Sequence, residues 1–526
     1  MTAPLLAPGY LLLRDAVSTP RSYLTDAALG VGGSAPRAVP QDFAVAILSA
    51  VLDGGLVVKA VLIAALLLAG WGAGRLAGFL LPEVGLPGQL VAATLAVWNP
   101  YVAERLLQGH WSLLLGYGAL PWVAAVVLRL RAEPSRADWA ALVFWVALAG
   151  LTPTGLMLAT VVALVCVTAP GDGVRRFRLT SAVLGAAIGG ALPWLTASAV
   201  GGALSIPQSA GLAPFAARAE PGLGTLGSLA GLGGLWNAEA VPHSRTTLFA
   251  VLATAVLLGI VALGLPAVLR RPSAAPLLIL AGIAVLVPTA MATGPGLAAL
   301  RTIVDVAPGI AVLRDGQKWV ALAMPGYAVA GAGAVLALRR WVRPGVSALV
   351  CAAALIAVLP DLAWGVGGRM TPVQYPPAWA AVAAEINGDP VTVVALPPDS
   401  MRRFDWAGPA PVLDPLPRWV RADVLTTGDL IVGGQTVPGE GEHAREVQRL
   451  LATGADPAAL ARAGVGWVLN EDGMTLNRIG GTTPKAPRWK RVSVILAHLI
   501  WVGMLIAGAA GMAAASINAP RRGSVR

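Results

Sequence analysis

The sequence predicts an α-helical polytopic membrane protein of about 11–12 transmembrane helices, with a small extracytoplasmic α/β domain near its C-terminus. Three observations carry that reading. Hydrophobic residues make up 56% of the 526 positions and charged residues only 12%, roughly half the charged share of a soluble globule. Glycine (62) and proline (41) are abundant while aromatics stand at 6%, which suits closely packed, broken helices better than a β-barrel. The formal charge of +11 gathers in short loops, where it reports orientation rather than a nucleic-acid partner.

Apolar runs of the roughly 20 residues that cross a bilayer core lie at 56–78, 112–131, 181–203, 246–269, 275–294, 318–338, 346–366 and 491–515. Two further runs are interrupted: 89–103 at Asn99-Pro100, and 139–169 at Thr152-Pro153. The second reads as two short helices, 139–150 and 154–169, a break tolerated where protein or water covers the freed backbone groups. Ala3 to Leu13 is apolar but covers only about half a bilayer at 1.5 Å per residue; it is expected to be a clipped first span. Cys166 and Cys351 fall inside apolar runs and read as packed thiols. With no signal-peptide pattern at the start, insertion is expected from the spans themselves.

Counting the stub as the first of twelve spans, the inward segments are 75–88, 129–138, 170–179, 270–274, 339–345 and 516–526, which together hold the whole +11 excess. The positive-inside rule then puts both termini in the cytoplasm of a plasma-membrane protein. The chain divides into a helical domain at 1–366, an extracytoplasmic domain at 367–490, and a final helix with a basic tail at 491–526. In the middle part, strand-like runs at Val391–Leu396 and Val465–Leu469 alternate with helix-like runs at 378–387 and 443–453, the pattern of a small α/β fold.

Polar residues collect at four places on the outer side. The first loop carries Asp15, Asp26 and Asp42 with Arg14, Arg21 and Arg37; Asp15 sits at the membrane edge, where an ionised group is costly unless it faces a cavity or partner, although a solvated loop reads the same way. The second cluster runs from Trp98 to Trp122 and holds Glu104, Arg105 and His110; six residues do not bring Glu104 and His110 onto one helix face, and an interfacial aromatic anchor is the plainer alternative. The third, 221–238, is rich in Gly and Leu and expected to be re-entrant or surface-lying; without a following Gly-Lys-Ser/Thr it is no phosphate loop. In the fourth, Arg314 and Lys318 flank Asp315 and suit an anionic head group, or a simple i,i+3 pair of Asp315 with Lys318. Scattered His110, His243, His443 and His498 give no zinc spacing, and no Gly-x-Ser-x-Gly elbow is present. The scarcity of mid-helix ionisable residues counts against a proton-driven transporter.

These elements together resemble the GT-C superfamily of polytopic membrane glycosyltransferases, in particular actinobacterial integral membrane members. The resemblance rests on a carboxylate after the first span, broken helices in the first half, Asn99-Pro100-Tyr101 with Glu104-Arg105 and Gly109-His110, Arg314-Asp315-Gly316-Gln317-Lys318-Trp319, and the late α/β domain. It implies a polyprenyl-phosphate sugar donor, an acceptor that is a cell-envelope glycan or lipid, and transfer on the extracytoplasmic face. Asp15 would be the catalytic base, Arg314 and Lys318 would neutralise the donor phosphate, and Asp42, Glu104 and His110 would orient the acceptor or a divalent cation. Whether a metal binds is left open. Asp15 is followed by Ala16, so the paired-carboxylate form of the family is absent. Two other readings stay open: a non-catalytic scaffold presenting the outer domain, and a transporter or flippase of lipid-linked substrate.

Overall fold

The computed structural model describes residues 1–517 except 33–35, 202–210, 433, 483 and 484; the basic residues Arg521, Arg522 and Arg526 of the expected tail lie outside them. Among the described residues, seven helices are long and apolar enough to cross a membrane: Gly54–Leu80, Trp111–Ala132, Arg176–Gly201, Phe249–Leu269, Pro272–Met291, Gly316–Leu338 and Arg488–Ile517. The pair Pro344–Ala357 and Pro360–Gly367, bent by 84°, raises the number to as many as eight. Shorter helices at Gly85–Val97, Arg136–Ala149 and Pro153–Val167 complete the bundle. The chain is an integral membrane protein.

Trp111–Ala132 is the axis of the bundle, with 89% of its apolar window buried, whereas Arg488–Ile517 at 28% faces outward. Small residues permit the central packing: a Cβ on Gly118 would lie 2.4 Å from the Ala65 carbonyl oxygen. Both sequence breaks are present and capped. The Asn99 carboxamide accepts from Val102 N at 3.0 Å and donates to the Leu95 carbonyl at 2.9 Å, and Thr152 Oγ1 accepts from Gly155 N at 3.0 Å, with Pro100 and Pro153 in the first turns. Caps of this kind satisfy the orphan groups of helix ends in an apolar setting.

At one end of the bundle arginines tie the short loops together. Arg129 pairs with Asp138 at 2.6 Å, Arg271 pairs with Glu83, and Arg131 donates to the carbonyls of Ala169 (3.1 Å), Gly171 (2.8 Å) and Val174 (2.5 Å). The opposite end carries the α/β domain and the described residues before Gly54.

The stub at 3–13 is corrected by the structure. Ala3–Leu6 is a 3-10 turn, and two short strands follow, β1 (Leu12–Leu13) and β2 (Ala16–Val17). Pro4 and Pro8 withhold helical N–H groups and Gly9 adopts φ +118°, so no helix can run through. Tyr10 exchanges backbone hydrogen bonds with Val373 (2.8 and 2.9 Å). Residues 1–17 therefore share a face with the α/β domain and do not start on the opposite side, as the expectation of two cytoplasmic termini required.

The α/β domain contains β3 (Val393–Leu396), β4 (Met401–Arg402), β5 (Val412–Leu413), β6 (Val424–Leu425), β7 (Leu430–Val432), β8 (Gln435–Val437), β9 (Trp467–Asn470) and β10 (Thr475–Arg478). Its main sheet has the order β10-β9-β3-β6, with β3 parallel to β9 and β6 and β10 antiparallel to β9. Helix Pro377–Gly388 covers it, burying Trp379 and Ile386 against Val393, Trp419 and Leu469. The strand and helix runs read from the sequence in this domain coincide with β3, β9, Pro377–Gly388 and Glu442–Ala452. Pairs β4–β5 and β7–β8 are separate antiparallel ribbons. Val412 of β5 also bridges Arg14, and Leu12, Val17 and Val412 form one apolar cluster. The domain is thereby stitched to the N-terminal hairpin.

Candidate active site

Asp15 owes its position to a tight turn. The register pairs Leu12 with Val17 and Leu13 with Ala16, leaving Arg14 and Asp15 as the two turn residues. Arg14 takes φ 49°, a left-handed conformation that costs a non-glycine residue roughly 1–3 kcal/mol and persists only where the surroundings enforce it. Here they do. The buried guanidinium donates to the carbonyls of Leu107 (2.8 Å) and Glu239 (2.9 Å), and the backbone N–H to Pro411 O (2.9 Å). Beneath the turn, Gly109 caps helix Pro100–Gln108 with φ +83°, and a Cβ there would lie 2.2 Å from Ala16 N and 2.4 Å from Leu13 O. Only glycine meets both demands.

That cap turns His110 back over its own helix. His110 Nε2 lies 3.0 Å from Asp15 Oδ2, and Nδ1 lies 3.0 Å from Arg105 NH1. An arginine can only donate, so Nδ1 accepts and the ring proton resides on Nε2, directed at Asp15. Arg105 also grips Asp315 with both arms, at 2.9 and 3.1 Å, and Lys318 Nζ stands 3.8 Å from the same carboxylate. Asp15, His110, Arg105, Asp315 and Lys318 thus form one continuous chain. The guanidinium of Arg105 is fully enclosed and lies 5.4 Å from the Tyr101 ring centroid.

The electrostatics follow from this chain. Burial would raise the Asp15 carboxyl, but hydrogen bonds from His110 and Gln108 and the charge of Lys318 outweigh it and hold it below the ordinary carboxylate value. His110 is lowered, chiefly by burial, with Arg105 repelling the extra proton and Asp15 opposing the shift. Burial likewise opposes ionisation of Asp315, yet Arg105 and Lys318 hold that carboxyl far below its usual range. At neutral pH the pair is therefore a carboxylate beside a neutral imidazole. Both imidazole nitrogens are engaged, while every described hydrogen bond to the Asp15 side chain ends on Oδ2.

Asp15, His110, Arg314 and Lys318 line one cavity of about 1560 Å³ between the bundle and the α/β domain. Arg314 stacks on Phe215 at 4.4 Å. Trp194 and Met157 contribute apolar wall from the bundle, and Ser400, Arg402 and Arg403 line it from the α/β domain. The remaining two sequence-selected residues lie elsewhere. Asp42 pairs with Arg418 at 3.3 Å. Glu104 is fully buried, accepting from Gly234 N (3.3 Å), Leu235 N (3.2 Å) and Gln317 Nε2 (3.0 Å); it anchors the 221–238 segment, whose Leu229, Leu232 and Leu235 are buried. Asp42, Glu104 and His110 do not converge on one ion, and among the described residues no three His, Cys, Asp or Glu side chains gather as metal ligands.

Two residues were given no role by the sequence reading. Gln108 donates to Asp15 Oδ2 at 3.0 Å and accepts from Asn237 at 2.8 Å. Gln317 links Glu104 to Arg105. Uncharged amides raise no flag on charge, although both flank residues that were selected.

No family model and no curated protein matches the sequence. Among solved structures, the single-particle cryo-EM structure of the arabinofuranosyltransferase AftD from Mycobacteria is similar at a TM-score of 0.51 and 17% identity, over 88% of this chain and 34% of that one. A mutant of the same AftD gives a TM-score of 0.47 at 19% identity, over 80% of this chain and 32% of that one. The chain spans about a third of the length of the structures it matches. Over most of its own length it shares the fold of a part of that AftD structure.

Proposed function

We propose that the chain is a membrane glycosyltransferase that moves a sugar from a polyprenyl-phosphate donor to a cell-envelope glycan or lipid acceptor on the extracytoplasmic face of the plasma membrane. Fold alone does not imply activity, so the observation that carries the reading is the state of Asp15. It is an ionised carboxylate on a strained turn, facing a large cavity, with one oxygen fixed by His110 and Gln108 and the other without a described donor. In the proposed step that oxygen takes the acceptor hydroxyl proton, the acceptor oxygen bonds to the anomeric carbon, and the polyprenyl phosphate leaves with the electron pair of the broken C–O bond. Lys318 and Arg314 compensate the charge left on the phosphate. His110, with both nitrogens occupied, positions Asp15 rather than acting as a base.

The test is transfer of radiolabel from polyprenyl-phosphate mannose, arabinose, glucose and galactose into envelope glycans, in membranes holding equal amounts of wild-type protein or Asp15→Asn. Label from one donor is expected, falling by about 10²–10⁴-fold in the variant. Equal label in both membranes for every donor would reject the proposal.

A further inference from the structure

The α/β domain presents a buried ionic cluster to the cavity that the proposed step does not use. Arg402 lies between two carboxylates, with Nε 2.7 Å from Glu471 and NH2 3.4 Å from Asp414. All three residues are more than nine-tenths buried, as is Ser400, and Ser400 and Arg402 both line the cavity. Among the described residues, Arg402 NH1 and Ser400 Oγ have no hydrogen-bond partner. Buried polar atoms are nearly always satisfied, and an unsatisfied set in a native fold calls for a ligand or another cause. Arg402 NH1, a donor, and Ser400 Oγ, able to donate or accept, lie on residues that line the cavity and form a polar edge there, while the Glu471 carboxyl shares a hydrogen bond with Asp414.

We propose that Ser400 and Arg402 form the subsite that holds the acceptor, and that the acceptor is a hydroxyl-rich glycan of at least two sugar rings. This rests on the glycosyltransferase reading for its role, though not for its binding. Charge balance supports a neutral ligand over a phosphate. One arginine faces two acids, and burial, followed by the neighbouring Asp414 carboxylate, pushes the Glu471 carboxyl up to about 8, so the cluster carries no surplus positive charge at neutral pH. A mixed donor and acceptor edge matches vicinal hydroxyls, whereas a phosphate presents acceptors alone. Strand geometry supports the length. Arg402 pairs with Val412, and Val412 bridges Arg14 beside the proposed base, so two strand spacings of about 4.8 Å separate the two backbones. A disaccharide, rather than a single sugar ring, matches that backbone separation.

The experiment is calorimetric binding of octyl mono- and disaccharide glycosides of arabinose, mannose, galactose and glucose to the purified full chain. Wild type, Ser400→Ala and Arg402→Lys are compared, each checked for an unchanged melting temperature. Ser400→Ala keeps the ionic cluster and guards against a folding defect in Arg402→Lys. One disaccharide glycoside is expected to bind more tightly than its monosaccharide, and about tenfold more weakly in Ser400→Ala or Arg402→Lys. Binding that ignores both substitutions, or no binding of any glycoside, overturns the subsite. Binding lost in both variants, by a protein that turns over no donor, keeps the subsite and rejects the enzymatic reading.

Discussion

The two ends of the bundle use the same residue types for opposite purposes. At the arginine-tied end, Arg129, Arg131 and Arg271 meet a nearby acid or the carbonyls of helix ends, and both Arg129 and Arg271 keep side chains 40% exposed. At the cavity end, Arg105 is fully enclosed and shared between a histidine, an aspartate and a glutamine. An exposed pair gains little and loses little when cut. An enclosed arginine cannot be removed without stranding the charges around it. Burial and onward connection to an open cavity, rather than the presence of charge, distinguish a site from a fastening.

The sharpest way to break this comparison is Arg105→Ala. It leaves Asp315 buried without its bidentate partner and frees His110 Nδ1, so stability should fall by about 3–5 kcal/mol; thermal melting of the detergent-solubilised protein reads the loss. Survival of the fold with an unchanged midpoint would mean that the chain from Asp15 to Lys318 is not a unit.

Next in size is Gly109→Ala. The methyl meets Ala16 N and Leu13 O at less than van der Waals distance, and φ +83° is itself unfavourable with a side chain. A cost of about 1–3 kcal/mol is expected, together with loss of transfer, because the hairpin that moves away carries Asp15. Unaltered transfer would uncouple the turn from the chemistry.

The legibility of the molecule follows the same division. Long spans could be read directly, since a run of some twenty apolar residues has few other uses, and the breaks at Asn99-Pro100 and Thr152-Pro153 announced themselves through proline. The stub at 3–13 misled because apolar content outweighed Pro4, Pro8 and Gly9. Its Tyr10 pairs with Val373, and the Arg14 that follows it with Pro411, both far beyond any local periodicity. At the site, Asp15, His110, Arg314 and Lys318 could be selected as charged groups between spans. The reading that Glu104 and His110 could not share a helix face was sound, but the residue that meets His110 is Arg105, through a left-handed glycine that helical spacing does not represent.

A smaller effect separates the two roles of His110. Its hydrogen bond is one of the interactions that lower the Asp15 carboxyl against the opposing effect of burial. Removing it in His110→Ala raises that pKa, so the base form is lost at a higher pH on acidification. The acid limb of transfer should move to higher pH, with the rate at alkaline pH largely retained. A limb that stays in place, with the rate reduced at every pH, would assign His110 a direct part in the reaction.

The smallest change is expected at the other end. In Arg129→Ala the partner Asp138 keeps the Ser135 hydroxyl at 2.6 Å and so is not stranded. The arginine is partly solvated, and stability should drop by no more than about 1 kcal/mol, with transfer unchanged. The value of this variant lies in what it controls for. If cutting an exposed fastening at the end remote from the cavity lowers transfer as much as Gly109→Ala does, the bundle couples its two ends rigidly and the losses at Gly109 and Arg105 report general loosening. If it leaves transfer intact, those losses belong to the enclosed chain between Asp15 and Lys318.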